Sequence, residues 1–354
     1  MSNFIYLPRL LPAPQTFLRT SRPERLETPA NARVIGIRSG NSGEKIHHIA
    51  HALHRGDKLP ANTVQLIRVK ENDKFPRPSV RAFGPLAWLS LAGFAMSASL
   101  TVASLVYEDG MALLATVFLS LLSTNTGIAN KWNASPDELT PDPNSPPGDV
   151  VIKYPQGAFI VVLCDERTAR YLYFNPSERC NYSIRSSTTY RGLSLISTLL
   201  LMGGVICLAN ATIQLQVGFA GAYMIINICY WIGAALPPAR HWNMARFNVT
   251  EIEIIGAGSA PRKERLDGNR KYTDALWTAI AVTRSSEWVR EAGWAPKTPA
   301  WKEWLDQAQG QATDEAIHVN IRGDGKEEWK VRSWDPKKAL SQLLSPASDD
   351  RDKV

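Results

Sequence analysis

Four of the chain's six histidines fall within eight residues, at His47, His48, His51 and His54. His47 and His51 stand one helical turn apart, His51 and His54 nearly so, and imidazoles at that spacing can share a transition metal. No cysteine lies within 100 residues of them, and the nearby acids are Glu44 and Asp57. His47, His51 and His54 are therefore weak metal candidates, lacking a complete tetrahedral set. The plainer expectation is a solvated polar face, opposite an apolar face of Ile46, Ile49, Ala50 and Leu53. A short strand and a glycine-bearing turn precede this helix and invite a phosphate-binding reading. A P-loop needs Gly-Lys-Ser/Thr, whereas Gly43 is followed by Glu44, whose carboxylate repels phosphate. Asp165 and Glu166 are a second candidate pair, and capping of a helix that opens there accounts for both. The four cysteines make no disulfide framework, since Cys207 and Cys229 fall in apolar stretches and Cys164 and Cys180 in a segment expected in the cytosol. The sequence thus nominates no catalytic residue and no cofactor.

Two stretches dominate the rest of the chain. Ala82 to Asn130 and Gly192 to Ala239 hold 49 and 48 residues, and their only acids or bases are Glu108 and Asp109. A mean hydropathy of -0.18 hides them, because the apolar residues are clustered. One helix of such length would run about 70 Å, whereas a hydrocarbon core is about 30 Å thick and needs about 20 residues. Each stretch must fold back on itself. The expected fold is a mainly α membrane protein, with two transmembrane helical hairpins (four spans) and small α+β cytosolic segments. The spans are expected near residues 83–107, 111–130, 192–209 and 217–236, with Pro237 and Pro238 stopping the last. Small residues should form the helix seams. Ala95, Ser99 and Ala103 recur every fourth residue in the first span, as do Gly218 and Ala222 in the fourth. Tyr107, Trp132, Trp231 and Trp242 stand where membrane-interface anchors belong.

Lysine and arginine set the expected orientation. Residues 1–82 carry 14 basic and 6 acidic groups, and residues 131–191 carry seven of each. The two short turns carry no Lys or Arg, so by the positive-inside rule both termini and the central segment are cytoplasmic. The bilayer is one partner, and the basic N-terminal excess reads as a topology signal. It lacks the interleaved basic and aromatic pattern of nucleic-acid binding. A plasma membrane or endomembrane fits better than a mitochondrial one, because Pro8, Pro12 and Pro14 would break a presequence helix.

The soluble segments carry fainter signals. Residues 1–32 read as a disordered leader, 33–81 as a basic segment with a strand and the histidine helix, and 345–354 as a disordered tail. Within 131–191, a proline-rich linker leads to strands at Val150–Lys153 and Ala158–Cys164 and a helix capped by Asp165. Within residues 240–344, seven of the chain's eleven tryptophans lie between Trp277 and Trp334. Thr273 to Ala292 reads as one helix, Thr298-Pro299 opens a second and Asp335-Pro336 a third. Tryptophans on such helices serve a packed core or a membrane surface, and the charge balance of the middle helix favours the core.

The strings VVIKYPQGAFIVVLCDERTARYLYF, CYWIGAALPPARHWNMARF and ALWTAIAVTRSSEWVREAGWAPKTPAWKEWLDQAQ together resemble an uncharacterised family of multi-pass integral membrane proteins from filamentous fungi. The resemblance covers about half the chain and implies the four-span topology without an activity. The expected role is a membrane-anchored interaction or scaffold protein, with a cytosolic protein partner or self-association through the spans. A small-solute transporter or channel component and a membrane-embedded enzyme are the alternatives, and the absence of ionisable side chains within the spans counts against both.

Overall fold

The computed structural model describes residues 6–12, 21–24, 26, 31–72, 74, 78–134, 145–174, 180–255, 271–323 and 325–345. They divide into two compact units, each assembled from non-contiguous pieces of chain. One unit comprises residues 1–26, 76–135 and 178–244, and the other residues 27–75, 136–177 and 245–354. These boundaries cut across the segments read from the sequence. Residues 135–144 of the expected proline-rich linker, residues 256–270 and the tail beyond Ser345 lie outside the described residues.

The first unit is built on four helices long and apolar enough to cross a membrane: α2 (Pro85–Val106), α3 (Gly110–Ala129), α5 (Ser187–Ala209) and α6 (Ile213–Ala235), numbered along the chain. At 1.5 Å per residue they run about 30 to 35 Å. The third and fourth begin earlier than the sequence suggested, because Ser186 caps α5 through Thr189 N–H and the polar 210–216 joint shrinks to residues 210–212. α2 packs on α3, α3 on α5 and α2 on α6, so neighbours in space follow the order α6, α2, α3, α5. Two short ribbons complete the unit: β4 (Ser79–Val80) pairs with β9 (Trp242–Asn243), and β5 (Trp132–Ala134) with β8 (Cys180–Tyr182).

The polarity of these helices is reversed relative to a water-soluble bundle. Their buried positions include Ser90, Gly93, Ser97 and Ser104 on α2, Thr116, Ser123 and Thr126 on α3, and Ser197 and Gly204 on α5. Leucine, isoleucine, valine and methionine point outward instead, among them Leu105, Leu199, Met202 and Met224. The seam of α2 is therefore displaced from the expected stripe: Ala95 and Ser99 are exposed, and Ala103 alone of the three is partly buried. The every-fourth-residue pattern located small residues, but the hydroxyl-bearing Ser90, Ser97 and Ser104 are the ones buried, and they rotate the face. On α6, Gly218 is exposed beside Leu100, Ala222 is half-buried, and Leu215, Phe219 and Ile226 fill the contact.

The leader is ordered where it is described. Leu10 and Leu11 are buried at 1% and 6% exposure, Arg9 N–H donates to Ser123 Oγ (2.9 Å) and Leu10 N–H to Gly93 O (3.3 Å). Arg22 donates to the carbonyls of Ala129 (3.0 Å) and Ile184 (2.7 Å) and is flanked by the rings of Tyr182 and Tyr190. A leader rich in proline reads as disordered because prolines exclude helix, yet Leu10, Leu11, Arg9 and Arg22 suffice to pin short extended stretches onto helices.

The second unit is a mixed sheet of eight strands, far more than the small α+β segments expected. Its strands are β1 (Arg33–Gly36), β2 (Ser42–Gly43), β3 (Val64–Glu71), β6 (Val150–Lys153), β7 (Phe159–Leu163), β10 (Phe247–Ile255), β11 (Ile317–Ile321) and β12 (Glu327–Val331). Their order is β11-β12-β10-β3-β7-β6-β1-β2. β3 pairs with β7 in parallel and with β10 antiparallel, so the centre of the sheet joins strands from three distant parts of the sequence. Alternation sends Val64, Leu66, Phe159, Val161 and Ile252 to one face. There they meet α7 (Tyr272–Thr283), α8 (Glu287–Glu291), α9 (Pro299–Gln311) and α10 (Pro336–Leu344). The other face carries α1 (His48–His54) and α4 (Glu166–Ala169), the latter continued by a wider π turn to Phe174.

Tryptophans make the core beneath α7 to α10. Trp277, Trp288 and Trp304 are fully buried, and Trp304 Nε1–H donates to Pro336 O at 2.8 Å. The helix expected across 273–292 is broken in two at Arg284, whose backbone is left-handed (φ 55°). Thr283 Oγ1 there accepts from Trp288 Nε1–H at 3.0 Å, so the break folds Trp288 back into the core.

Candidate functional site

The cluster singled out by the sequence turns inward. On α1, His51 is buried and its Nδ1 lies 3.2 Å from Tyr154 Oη, with Nε2 3.7 Å from the Asp57 carboxylate. His54 Nε2 lies 2.5 Å from Tyr173 Oη, and the rings stack. The expectation of a solvated histidine face is thus wrong for both, because the buried tyrosines after β6 and on the π turn supply the polar partners that water would. Burial is the main cause that lowers both imidazoles, and it pushes His54 down to about 3. Its Nδ1 is enclosed without a hydrogen-bond partner, so a second proton there would be stranded. Among the described residues no group of three or more His, Cys, Asp or Glu is placed to hold a metal, and His47 lies at the start of α1 rather than with a third ligand.

The other candidates also resolve into structure. Asp165 accepts from Thr168 N–H (3.2 Å), and Glu166 pairs with Arg170 one turn on (2.8 Å). Glu71, little exposed at the end of β3, pairs with both Arg246 and Arg167. Lys153 Nζ donates to Tyr272 Oη (2.9 Å) beside the ring of Trp294. The Glu71 and Lys153 contacts join separate elements of the second unit, whereas those of Asp165 and Glu166 are local to the start of α4.

An enclosed cavity belongs to the helical unit. It has a volume of about 420 Å³ and lies between the first turns of α2 and the last turns of α3 and α6, closed by residues 9–12 and the β4–β9 ribbon. Leu10, Leu86, Leu89 and Trp242 make it apolar, while Arg9, Asn130 and His241 stand at its wall. Trp242, expected as a lipid-facing anchor, is 6% exposed and packs here instead, because pairing with Val80 turns it inward. Trp132 is half-buried at the same cavity. Tyr107 and Trp231 are exposed, the latter at 79%, and Phe83 and Trp88 join Trp231 as exposed rings that the sequence reading passed over.

Asp109 is the residue that sequence reasoning undervalued. Its Oδ1 accepts from Met111 and Ala112 N–H (3.0 Å each) and its Oδ2 from Thr212 N–H (2.7 Å). One carboxylate thereby caps α3 and ties the α2–α3 turn to the α5–α6 turn. The signal was present: an aspartate immediately before an apolar run is a helix N-cap.

Compared with family models, curated proteins and solved structures, the chain matches none.

Proposed function

We propose that the chain is a four-span membrane protein in which two transmembrane hairpins carry one cytosolic α/β domain, and that it serves as a membrane-anchored interaction or scaffold protein. The observation that carries this reading is the sheet. β3 precedes the first hairpin, β7 lies between the hairpins and β10 follows the second, yet the three pair side by side. Hydrogen-bonded strands occupy one compartment, so each hairpin must return to the side it left. Two spans per hairpin satisfy that requirement. The hydroxyl-in, aliphatic-out polarity of the helices supports lipid as their solvent, since exposed apolar patches of that extent are foreign to water-soluble monomers. Lys and Arg flanking the helices support a cytosolic domain.

Scaffolding is favoured over coupled transport because the polar side chains of the spans are spent on each other. Asn125 Nδ2 donates to Leu193 O (2.8 Å) and Ser197 Oγ (2.7 Å), Ser97 and Ser120 share a hydrogen bond (3.1 Å), and Thr116 donates to Ala112 O. Apart from Arg191 near the start of α5, the four helices hold no Asp, Glu, Lys, Arg or His to relay a proton or ion. A second reading, a carrier of a small apolar solute, has the 420 Å³ cavity behind it. Purification in mild detergent after proximity labelling, alongside solute-flux assays in proteoliposomes, separates the two. A reproducible stoichiometric cytosolic partner with no flux supports the scaffold. Flux that responds to filling the cavity by Leu89→Trp would replace it with the carrier.

A further inference from the structure

A second depression lies on the outer side of α2, about 750 Å³ in volume and open along its length, between α2 and α6. Its walls are Trp88, Leu89 and Ala92 on one helix and Cys229, Ile232 and Leu236 on the other or just past its end. From Gly84 to Ala92 the groove follows α2 for about 12 Å at 1.5 Å per residue. Two arginines, Arg81 and Arg240, stand at one end of it, and no acidic residue lines it. Chain geometry brings them there together. The β4–β9 ribbon sets Val80 opposite Trp242, Arg81 N–H donates to His241 O (2.9 Å), and a Cβ at Gly84 would come within 3.3 Å of Arg81 Cβ and 3.7 Å of Arg240 O. Arg81 Nε–H is taken by Trp242 O (3.0 Å), which holds the side chain across the ribbon and leaves the two terminal nitrogens of its guanidinium for a ligand. Both arginines are exposed, and among the described residues neither is in an ion pair.

We propose that this groove binds one anionic phospholipid, its phosphate between Arg81 and Arg240 and one acyl chain laid along Trp88, Leu89, Ile232 and Leu236. The proposal rests on the reading that these helices span a bilayer. Charge complementarity selects the occupant: a protein helix would bring its own polar termini to the apolar wall, whereas a phospholipid places its only charge at the one end where the groove is cationic. Planar guanidinium groups meet phosphate oxygens two at a time, which an ammonium does not do. A zwitterionic lipid offers the same chain but returns a cation to the arginines.

The test uses the full chain in detergent, titrated with phosphatidylglycerol or phosphatidylcholine, with retained lipid counted by native mass spectrometry and thermal stability read in parallel. Wild type is expected to retain one phosphatidylglycerol at least severalfold more tightly than phosphatidylcholine. Arg240→Gln should weaken that retention about fivefold, the worth of one basic residue near an anionic surface, and the double variant Arg81→Gln/Arg240→Gln more. Arg191→Gln, which removes the same charge from the exposed first turn of α5, should leave it unchanged. Equal retention of the two lipids, or equal losses in the Arg240 and Arg191 variants, overturns the groove. Stabilisation by glycerol phosphate as strong as by the lipid would mark an anion site without a chain and overturns it also. Failure of the wild-type chain to float with lipid vesicles would contradict the spanning reading itself and take the groove with it.

Discussion

At the scale of single residues, the interior histidines set an acid limit on the fold. An unfolded imidazole titrates near 6.5, and burial pushes His54 down to about 3 and lowers His51 as well. As pH falls below about 6.5 the unfolded chain takes up the proton first, so stability present above that pH declines progressively towards 3. Between pH 6.5 and 5, where carboxylates still hold their charge, the melting temperature should drop, and His54→Gln should flatten that slope. Parallel slopes for the two proteins would refute this. Arg22 is the second residue to test. It has two carbonyl acceptors and two aromatic faces, and a charge-assisted hydrogen bond is worth roughly 1.5 to 3 kcal/mol before the cation–π contribution. Arg22→Ala should cost about 2 kcal/mol by thermal unfolding in detergent, with Arg22→Lys recovering only part because it cannot reach both carbonyls in one plane. A loss below about 0.5 kcal/mol for the alanine variant would mean that residues 21–24 are not held by this side chain. Neither site was legible in the sequence as it is used. The i, i+4 spacing of the histidines was visible, but Tyr154 and Tyr173 lie more than 100 residues away, and only the end of β6 and the π turn after α4 bring them to α1.

At the scale of elements, glycines separate the observed seams from the expected ones. A Cβ at Gly93 would sit 2.8 Å from Leu10 O, and one at Gly204 2.8 Å from Leu119 side-chain carbons, while one at Gly218 meets only Leu100 at 3.7 Å. Gly93→Ala gains about 1 kcal/mol of helix propensity yet forces residues 9–11 off α2. It should therefore lower the melting temperature in detergent and expose the apolar cavity, and Gly218→Ala should leave both unchanged or slightly improved. The reverse ranking would restore the stripe first expected on Ala95, Ser99, Ala103 and Gly218. The existence of the four helices was readable because an uncharged run admits little else, while the starts of α5 and α6 were not. Which face packs was not, because a helix meant for lipid is apolar all round and shows no one-sided stripe towards its neighbours, and the serines that mark the seam alternate with small apolar residues. Strands β6 and β7 were readable from their apolar runs and turn, Val150–Lys153 to the residue. Strands β11 and β12 were not, since exposed residues such as Asn320 and Lys330 break the pattern.

At the scale of the whole molecule, the tryptophans and the sheet carry the account. Trp304 is fully buried and hydrogen-bonded, so Trp304→Ala should cost about 3 to 5 kcal/mol, the range for deleting a core aromatic. Tryptophan fluorescence of the intact protein should lose its blue-shifted component in step with that variant's unfolding. The existence of one large domain was hidden from sequence reading because its strands are dealt out before, between and after two apolar hairpins, and no local pattern announces a partner 180 residues away. That same interleaving makes the central claim testable. Single cysteines at Ser42, Pro155 and Asn320 report the three sheet-forming segments, and one at Glu108 reports the first hairpin turn, all four positions being exposed. In sealed vesicles with the cytosolic face outward, a membrane-impermeant maleimide should label positions 42, 155 and 320 at once and position 108 only after detergent. Protection of position 155 while 42 and 320 react, or immediate labelling of position 108, would contradict two spans per hairpin and the domain built upon them.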